Sequence, residues 1–326
     1  GESRCGPGIS NTLGLLALAG VGQVPVACGP ERRVGPGHDW PPEWRAASDE
    51  LGGLTLPAVD RSAIDEASDD DAVDLLARLA AAAPEPITIV ALGPLTNLAE
   101  ALERDPAFVD DVAMIFTMGG ALDVAGNAPG GLAEWNYYVD PTSVEVVLDS
   151  GIPVTMVPLD ATDEVPMTEA WFESLSGHHT TAAAGAVLAL HAAGRPFDLG
   201  FFFWDELAAA VALDESLVTL EQRTVSIDTE GVAAGRTRDD PTGAVVRVAV
   251  DADTRRFEAE LLTVLNGGVA PPATGLTGDA GAPQPETVSY FESLEESATV
   301  MSRGIEQLFA SPEAAALDAM VGDDPS

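Results

Sequence analysis

The sequence predicts an α/β fold with a mostly parallel open sheet flanked by helices. Strand-like apolar runs alternate with amphipathic helical segments through most of the chain. Several runs end in glycine, notably at Gly93 and at Gly119 and Gly120. Alternation of this kind is typical of strand–helix–strand units, whose strands pair in parallel. Since ligands bind beyond the carboxyl ends of such strands, we expect these glycine turns to border one crevice.

The elements follow from local signals in chain order. Ser10 precedes leucines at helical spacing and Gly20 follows them, which predicts a helix over 10–20. The recurrence of apolar residues predicts an amphipathic helix over 62–83. Proline at the first position favours another helix over 94–105. The other predicted elements are strands over 24–27, 86–93, 112–120 and 153–160 and helices over 141–151 and 180–193.

The charge is strongly acidic, with 53 acidic against 15 basic residues and a formal net charge of −38. All the basic residues are arginine. Such a chain repels nucleic acid and anionic membranes, so neither is an expected partner. The acidic run at 66–74 is compatible with a disordered tail, but the apolar residues between its charges favour a solvated helix face.

A lysine-free acidic surface is typical of a halophilic protein from a salt-rich cytoplasm. At molar salt the Debye length is about 3 Å, so self-repulsion is screened, and we expect structure to be lost in dilute buffer. No apolar run reaches the length of a membrane span, and no secretion leader opens the sequence. Cys5 and Cys28 are too few for a disulfide framework, so we expect free thiols in a reducing cytoplasm.

The chain divides into an α/β domain at 1–266, a Gly/Pro-rich linker at 267–286 and a C-terminal amphipathic helical tail at 287–326. Apolar residues of the tail recur in steps of three and four. This spacing has two interpretations. It is compatible with a coiled-coil seam that makes an oligomer, and equally with a helix packed on its own domain.

The stretch GNAPGGLAEWNYYVDP at 126–141 is the strongest candidate site. Asn127, Glu134 and Asn136 lie there among glycine, proline and aromatic residues. A simple connecting loop needs no aromatic residues at this density. A core strand would not tolerate a carboxylate without a partner, because burying an unpaired charge is costly.

Other candidate positions have competing structural interpretations. Asp205 follows four aromatic residues, where it is either a helix cap or a carboxylate that binds a cation or ligand hydroxyls. His38 lies in a loop with two tryptophans, which is either a surface turn or a mobile aromatic lid. His178 and His179 are adjacent, so they are expected at the exposed start of a helix rather than in a metal site.

Four segments together resemble the inosine-uridine-preferring nucleoside hydrolase family. They occur in the family's order and cover the chain from about residue 10 to about residue 266. The segments are VALGPLTNLAEAL at 90–102, TMGGALDVAGNAPGGLAEWNYYVDP at 117–141, IPVTMVPLDAT at 152–162 and WDELAAAV at 204–211.

The resemblance implies roles for the polar residues of the 126–141 stretch. Asn127, Glu134 and Asn136 would hydrogen-bond the hydroxyls of a ribose, and Met118 would line the apolar face of the sugar. A ribose needs donors and acceptors around its rim, and a wall that excludes water strengthens those bonds.

The resemblance also implies a calcium cofactor. Asp205 would reach both the calcium ion and a ribose hydroxyl, and the backbone carbonyl of Leu92 would be another ligand. Some family members have a histidine directly before this aspartate as an acid for the leaving group. Here Trp204 stands at that position, so stacking on the base is the expected substitute.

The implied reaction is hydrolysis of the N-glycosidic bond of purine or pyrimidine ribonucleosides through an oxocarbenium-like transition state. The family's aspartate motif, DxDPGxDD, is absent, so no catalytic residue is identified and the fold lacks its first strand–helix unit. The first residue is Gly1, which is compatible with a fragment. We therefore expect weak calcium binding or none, and a possible homo-oligomer only by analogy.

Three interpretations stay open at this point. The chain is a truncated nucleoside hydrolase, a riboside-binding relic without turnover, or an unrelated α/β sugar-binding protein.

Overall fold

The computed structural model describes residues 2–20, 24–54, 56, 71–194 and 200–269. The strands are β1 Ile87–Ala91, β2 Val112–Met118, β3 Val154–Val157, β4 Val218–Ile227, β5 Thr237–Asp239 and β6 Ala244–Ala252. The helices before β3 are α1 Cys5–Leu18, α2 Pro42–Glu50, α3 Ala72–Ala82, α4 Thr96–Arg104, α5 Trp135–Val139 and α6 Pro141–Leu148. Those after β3 are α7 Leu159–Thr162, α8 Glu169–Gly177, α9 Ala182–Gly194, α10 Trp204–Leu213 and α11 Thr254–Leu265.

The six strands form one mixed sheet in the order β1-β2-β3-β6-β4-β5. β1, β2, β3 and β6 pair in parallel, whereas β4 runs antiparallel to both β6 and β5. The predicted mostly parallel sheet with flanking helices is therefore confirmed. The antiparallel β4 and β5 were not predicted.

Helices cover both faces of the sheet, because successive side chains of a strand point to opposite faces. In β2, Ile115 packs with Val144 of α6 on one face. Its neighbour Phe116 packs with Trp171 of α8 and Phe257 of α11 on the other face. β2 and β3 therefore lie between two apolar layers, and their carboxyl ends are held rigidly.

The predicted boundaries differ from the structure where tertiary contacts decide them. α1 begins at Cys5, so Ser10 is inside the helix rather than its cap. The strand predicted at 24–27 is wrong, since this segment has no ladder and only Cys28 forms an isolated bridge, with Asp71. A strand needs a continuous hydrogen-bonding neighbour, which an apolar run alone does not guarantee.

The helix predicted over 62–83 is described from Ala72, with the Asp71 carboxylate accepting a hydrogen bond from the Val73 amide at 2.9 Å. Residues 62–70 lie outside the described part of the chain. The strand predicted over 153–160 ends at Val157, because residues 159–162 form the short helix α7.

Cys5 and Cys28 form a disulfide, with their Cα atoms 5.5 Å apart. The expectation of free thiols is wrong. The two cysteines are 23 positions apart in sequence, and only the packing of α1 beside the 24–29 segment brings them together. The bond fixes the amino end of α1 to that segment.

The C-terminal region is described only as far as residue 269. The linker at 267–286 therefore lies mostly outside the described residues, and the helical tail at 287–326 lies wholly outside them. This division of the chain stays a prediction. Among the described helices, none is long and apolar enough to cross a membrane.

Candidate active site

The candidate site lies where β2 and β3 end. After β2 the chain turns through Gly119 and Gly120, and the Gly120 carbonyl accepts a hydrogen bond from the Leu159 amide at 2.9 Å. A Cβ atom on Gly119 would lie 2.3 Å from the Tyr137 ring. Glycine is needed here because the backbone passes directly against an aromatic ring.

Glu134 links this turn to the start of α5. Its Oε1 accepts from the Asn136 amide at 2.8 Å, and its Oε2 accepts from the amides of Tyr137 and Gly120, both at 3.2 Å. The residue is 2% exposed. Burial raises the pKa of Glu134 to about 7, against the opposing effect of the three amides.

Asn136 and Met118 meet beneath this carboxylate. The Asn136 Nδ2 donates to the Met118 carbonyl at 3.2 Å and lies 3.4 Å from the Met118 Sδ. Asn127 joins the same group through its Oδ1, which accepts from the Trp135 amide at 3.1 Å. The structure therefore brings Met118, Asn127, Glu134 and Asn136 together, while their role in ribose binding stays a prediction.

Asp205 and Trp204 lie in the first turn of α10. Phe203 occupies the cap position, so the interpretation of Asp205 as the helix cap is wrong. The Asp205 side chain is exposed to solvent. Partial desolvation by the surrounding protein raises its pKa to about 7, and the negative charges of Glu206, Glu134 and Glu2 add to the shift.

Trp204 lies among aromatic rings. Its ring centroid is 5.6 Å from that of Phe201 and 6.0 Å from that of Phe202. Its indole Nε1 is buried, with no hydrogen-bond partner among the described residues. Trp204 therefore forms an apolar wall next to Asp205.

Leu92 follows β1, is 39% exposed and lines a groove. Across the described ranges, no group of three or more His, Cys, Asp or Glu side chains is placed to hold a metal ion. Calcium takes six to eight oxygen ligands, mostly from carboxylates. Asp205 and the Leu92 carbonyl do not make such a set, so the described residues do not fit the implied calcium.

An aromatic cluster of Trp40, Trp44, Trp135 and Tyr138 flanks α5. His38 stacks on Tyr138 with ring centroids 3.7 Å apart, and its amide donates to the Val139 carbonyl at 3.1 Å. The His38 pKa is lowered, mainly by burial. The loop is thus fastened to α5, which favours the surface-turn interpretation over a mobile lid.

The two adjacent histidines lie at the end of α8 and directly after it. His178 ends α8, and the His179 Nδ1 lies 3.0 Å from the Ser176 carbonyl oxygen. The helix predicted to begin beside them starts at Ala182. Their hydrogen bonds within the described residues involve no other candidate site residue.

Two buried aspartates that position the site were missed. Asp160 accepts from the amides of Leu122 and Asp123 at 2.9 and 2.7 Å, which holds the loop after β2. Asp140 accepts from the Val34 amide at 3.1 Å and the Thr96 hydroxyl at 2.7 Å. Each aspartate follows an apolar segment, but its partners are distant in sequence.

The fold and site define an α/β protein with a group of polar residues at the carboxyl edge of a mostly parallel sheet. The family comparison identifies the class further. The chain belongs to the inosine-uridine preferring nucleoside hydrolase family, whose sequence profile matches residues 1–259. Membership excludes the interpretation as an unrelated α/β sugar-binding protein.

Relatives support the assignment. The chain is 32% identical over 233 residues to the probable uridine nucleosidase 1 of Oryza sativa subsp. japonica, covering 70% of each sequence. It is 33% identical over 236 residues to the pyrimidine-specific ribonucleoside hydrolase RihA of Citrobacter koseri, covering 68% of this chain and 71% of the relative.

Two solved structures have a fold similar to that of this chain. The plant nucleoside hydrolase PpNRh1 superposes with a TM-score of 0.71 at 29% identity, covering 82% of this chain and 88% of that chain. The purine-preferring ribonucleoside hydrolase from Gardnerella vaginalis superposes with a TM-score of 0.69 at 29% identity, covering 80% and 85%.

Proposed function

We propose that this protein hydrolyses the N-glycosidic bond of ribonucleosides, releasing a free base and ribose. The convergence of Met118, Asn127, Glu134 and Asn136 at the carboxyl ends of β2 and β3 is the observation that carries this proposal. Its relatives include enzymes named for uridine, for pyrimidine ribonucleosides and for purine ribonucleosides. The proposed substrates are therefore purine or pyrimidine ribonucleosides.

The polar residues would bind the ribose rim. A carboxylate has about four acceptor positions, and Glu134 uses three of them for backbone amides. The remaining position can accept a ribose hydroxyl without disturbing the helix cap. Met118, buried beneath Asn136, would pack against the apolar face of the sugar.

Trp204 and Asp205 would act on either side of the scissile bond. The Trp204 indole would stack on the base and keep water from the leaving group. Asp205, with its pKa raised to about 7, would hydrogen-bond a ribose hydroxyl. No general base is assigned to the described residues.

When calcium is bound, it acidifies and positions a water in this kind of chemistry. The resemblance assigns only Asp205 and the Leu92 carbonyl to it, so we propose that this chain binds calcium weakly or not at all. A second function, binding of ribosides without turnover, is an outcome that the experiment distinguishes.

The experiment measures ribose release from uridine and inosine, together with riboside binding by calorimetry. Asp205→Asn is expected to reduce both ribose release and riboside binding about tenfold or more, because the variant loses one hydrogen bond to a charged group. Asp149→Asn is the matched control, since this exposed aspartate follows α6 and precedes the amino end of β3, whereas the candidate site lies at the carboxyl end of that strand. Binding without ribose release would select the second function, and absence of both would overturn the proposal.

We propose further that the protein is halophilic and cytoplasmic. The net charge of −38 supports the first part. The Cys5–Cys28 disulfide is unusual for a cytoplasmic protein, so fractionation of the native cells tests the second part. Recovery of the protein in the cytoplasmic fraction is expected, and recovery outside that fraction would contradict it.

We also propose a homo-oligomer formed through the tail. Deleting 287–326 should lower the mass measured in solution from that of the oligomer to that of the monomer. An unchanged state would mean that the tail packs on its own domain.

A further inference from the structure

The segment 38–44 carries aromatic residues that the proposed function does not use. Trp40 stacks on Trp135, with ring centroids 5.3 Å apart and ring planes 18° from parallel. The Trp44 ring is tilted against the same indole at a centroid distance of 4.8 Å. Aromatic rings at these distances attract each other beyond the effect of the area that they bury. The 38–44 segment therefore holds the Trp135 side chain from a distant part of the sequence.

Trp135 lies between the polar residues that would bind the ribose. It separates Glu134 from Asn136 in the sequence, and its amide donates a hydrogen bond to the Asn127 Oδ1 at 3.1 Å. The residue is 6% exposed, so its indole is enclosed by the protein. Because Trp135 is bonded to both neighbours and hydrogen-bonded to Asn127, a shift of its backbone displaces all three polar residues.

The aromatic cluster also packs on the loop that joins Asn127 to Glu134. Ala128 and Ala133 are buried with the cluster. The Ala128 amide donates to the Ala133 carbonyl at 2.9 Å. A Cβ atom on Gly126 would lie 2.2 Å from the Ala133 carbonyl oxygen, so the two ends of the loop are in direct contact. The cluster therefore supports both ends of the loop at once.

The chain is fastened at two points before it reaches Trp40. The Val34 amide donates to the buried Asp140 carboxylate at 3.1 Å. The His38 amide donates to the Val139 carbonyl, also at 3.1 Å. Both acceptors directly follow the helical turn that begins with Trp135 or lie within it. Trp40 is therefore presented to Trp135 by backbone that is already anchored beside it.

We propose that Trp40 is a positioning residue for recognition of the ribose. Its stacking on Trp135 holds the polar residues of the site where they contact the hydroxyls of the sugar, and Trp40 itself does not bind the ligand. This inference rests on the proposed function for the identity of the ligand. A sugar that lacks a hydroxyl leaves one polar group of the site unpaired, so the placement of these groups sets the preference for ribose over deoxyribose.

The first test measures that preference in the full chain and its variants. Calorimetry, or kcat/KM where ribose is released, compares uridine with uridine that lacks the 2′ or the 3′ hydroxyl. The unaltered protein is expected to prefer uridine by about a hundredfold or more. Trp40→Leu removes the stacking ring but keeps an apolar side chain in the cluster. It should lower the preference about tenfold or more, because small displacements of positioned groups are costly.

Trp40→Phe is the conservative variant, and Phe108→Leu is the matched control. Phenylalanine keeps a ring that stacks on Trp135, so Trp40→Phe should retain most of the preference. Phe108 is 1% exposed and lies in the 106–111 segment before the amino end of β2, whereas the candidate site lies at the carboxyl end of that strand. Phe108→Leu should lower the melting temperature, as Trp40→Leu does, but leave the preference for ribose unchanged.

The second test needs no nucleoside. Hydrogen exchange measured by mass spectrometry reports on the amides at 135–137, which donate to the side chains of Asn127 and Glu134. Trp40→Leu should speed the exchange of these amides about tenfold or more, because the local opening of this turn becomes easier. Trp40→Phe and Phe108→Leu should leave their exchange nearly unchanged. Equal exchange in Trp40→Leu and the unaltered protein would overturn the proposal.

The outcomes separate this inference from the proposed function. If the unaltered protein binds no riboside, the proposed function fails, and the role of Trp40 in ribose recognition fails with it. If the unaltered protein prefers uridine and Trp40→Leu keeps the whole preference, only the role of Trp40 is overturned. An equal loss of preference in Trp40→Leu and Phe108→Leu would also overturn that role, since the loss would then come from general instability.

Discussion

β1 and β3 are built from similar residues and have opposite environments. β3, VTMV, is buried at every position, whereas β1, ITIVA, has no fully buried residue. Among the described strands, β3 has a parallel neighbour on each side and β1 has one. Burial of a parallel strand therefore depends on its neighbours and not on its composition alone. The candidate site residues follow the enclosed strands β2 and β3, here called the enclosed side, and the groove lies along β1.

The largest expected effect is on the enclosed side. Glu134→Ala removes the acceptor of three buried amides, so it should lower the free energy of unfolding by on the order of 4 kcal/mol. Thermal unfolding by circular dichroism in molar salt measures the loss. Glu145→Ala, an exposed glutamate on α6, is the control and should have little effect. A small change for Glu134→Ala would contradict its role in joining β2 to α5.

The second effect is a pH dependence of stability. Glu134 has a pKa of about 7 in the folded protein, raised from 4.5. Its contribution to stability is therefore fully present below about pH 4.5 and is lost as the pH rises through about 7. The free energy of unfolding should fall by at most about 3 kcal/mol across this range.

Glu134→Gln should flatten this pH dependence, because glutamine does not titrate. Asp205 and Asp163 also have pKa values raised to about 7 and contribute in the same direction. The residual slope in the variant should therefore be smaller but not zero. An unchanged slope would show that Glu134 does not titrate in this range.

The third prediction compares the stability effects of substitutions at two glycines, each of which follows a strand. Gly119→Ala places a methyl group against the Tyr137 ring and should cost about 2 kcal/mol of stability, as in other overpacked sites. Gly93→Ala meets nothing within 4 Å and should be nearly neutral. Equal melting temperatures for the two variants would show that the turn after β2 is no more tightly packed than the turn after β1.

The smallest expected effect on stability comes from substitutions at two valines, one in β3 and one in β1. Val154→Thr buries a hydroxyl in β3, where the valine is 3% exposed, and should cost about 1.5 kcal/mol. Val90→Thr in β1 should change the free energy of unfolding by less than about 0.5 kcal/mol. A large effect at Val90 would mean that the β1 edge is covered in solution.

Much of the fold could be predicted from local patterns. The apolar runs at 86–93 and 112–120 correspond to β1 and β2, and the proline and glycine signals approximate the ends of α4 and α6. The group of Asn127, Glu134 and Asn136 was visible because polar residues in an aromatic, glycine-rich stretch are exceptional.

Long-range contacts explain the misses. Glu134 caps α5 through the nearby amides of Asn136 and Tyr137, but its third hydrogen bond comes from the distant Gly120 amide, and no spacing in the sequence encodes that contact. The 24–27 segment has strand composition but no paired neighbour. The disulfide depends on packing between α1 and the chain beyond it, so counting cysteines could not reveal it.

The Cys5–Cys28 bond has a consequence for the unfolded chain that its position alone does not suggest. It joins two residues 23 positions apart in sequence, so it closes a loop in the unfolded chain as well as in the folded one. A crosslink of this span restricts the unfolded chain and stabilises the folded state by about 3 kcal/mol. Reduction of the bond should therefore lower the melting temperature measured in molar salt.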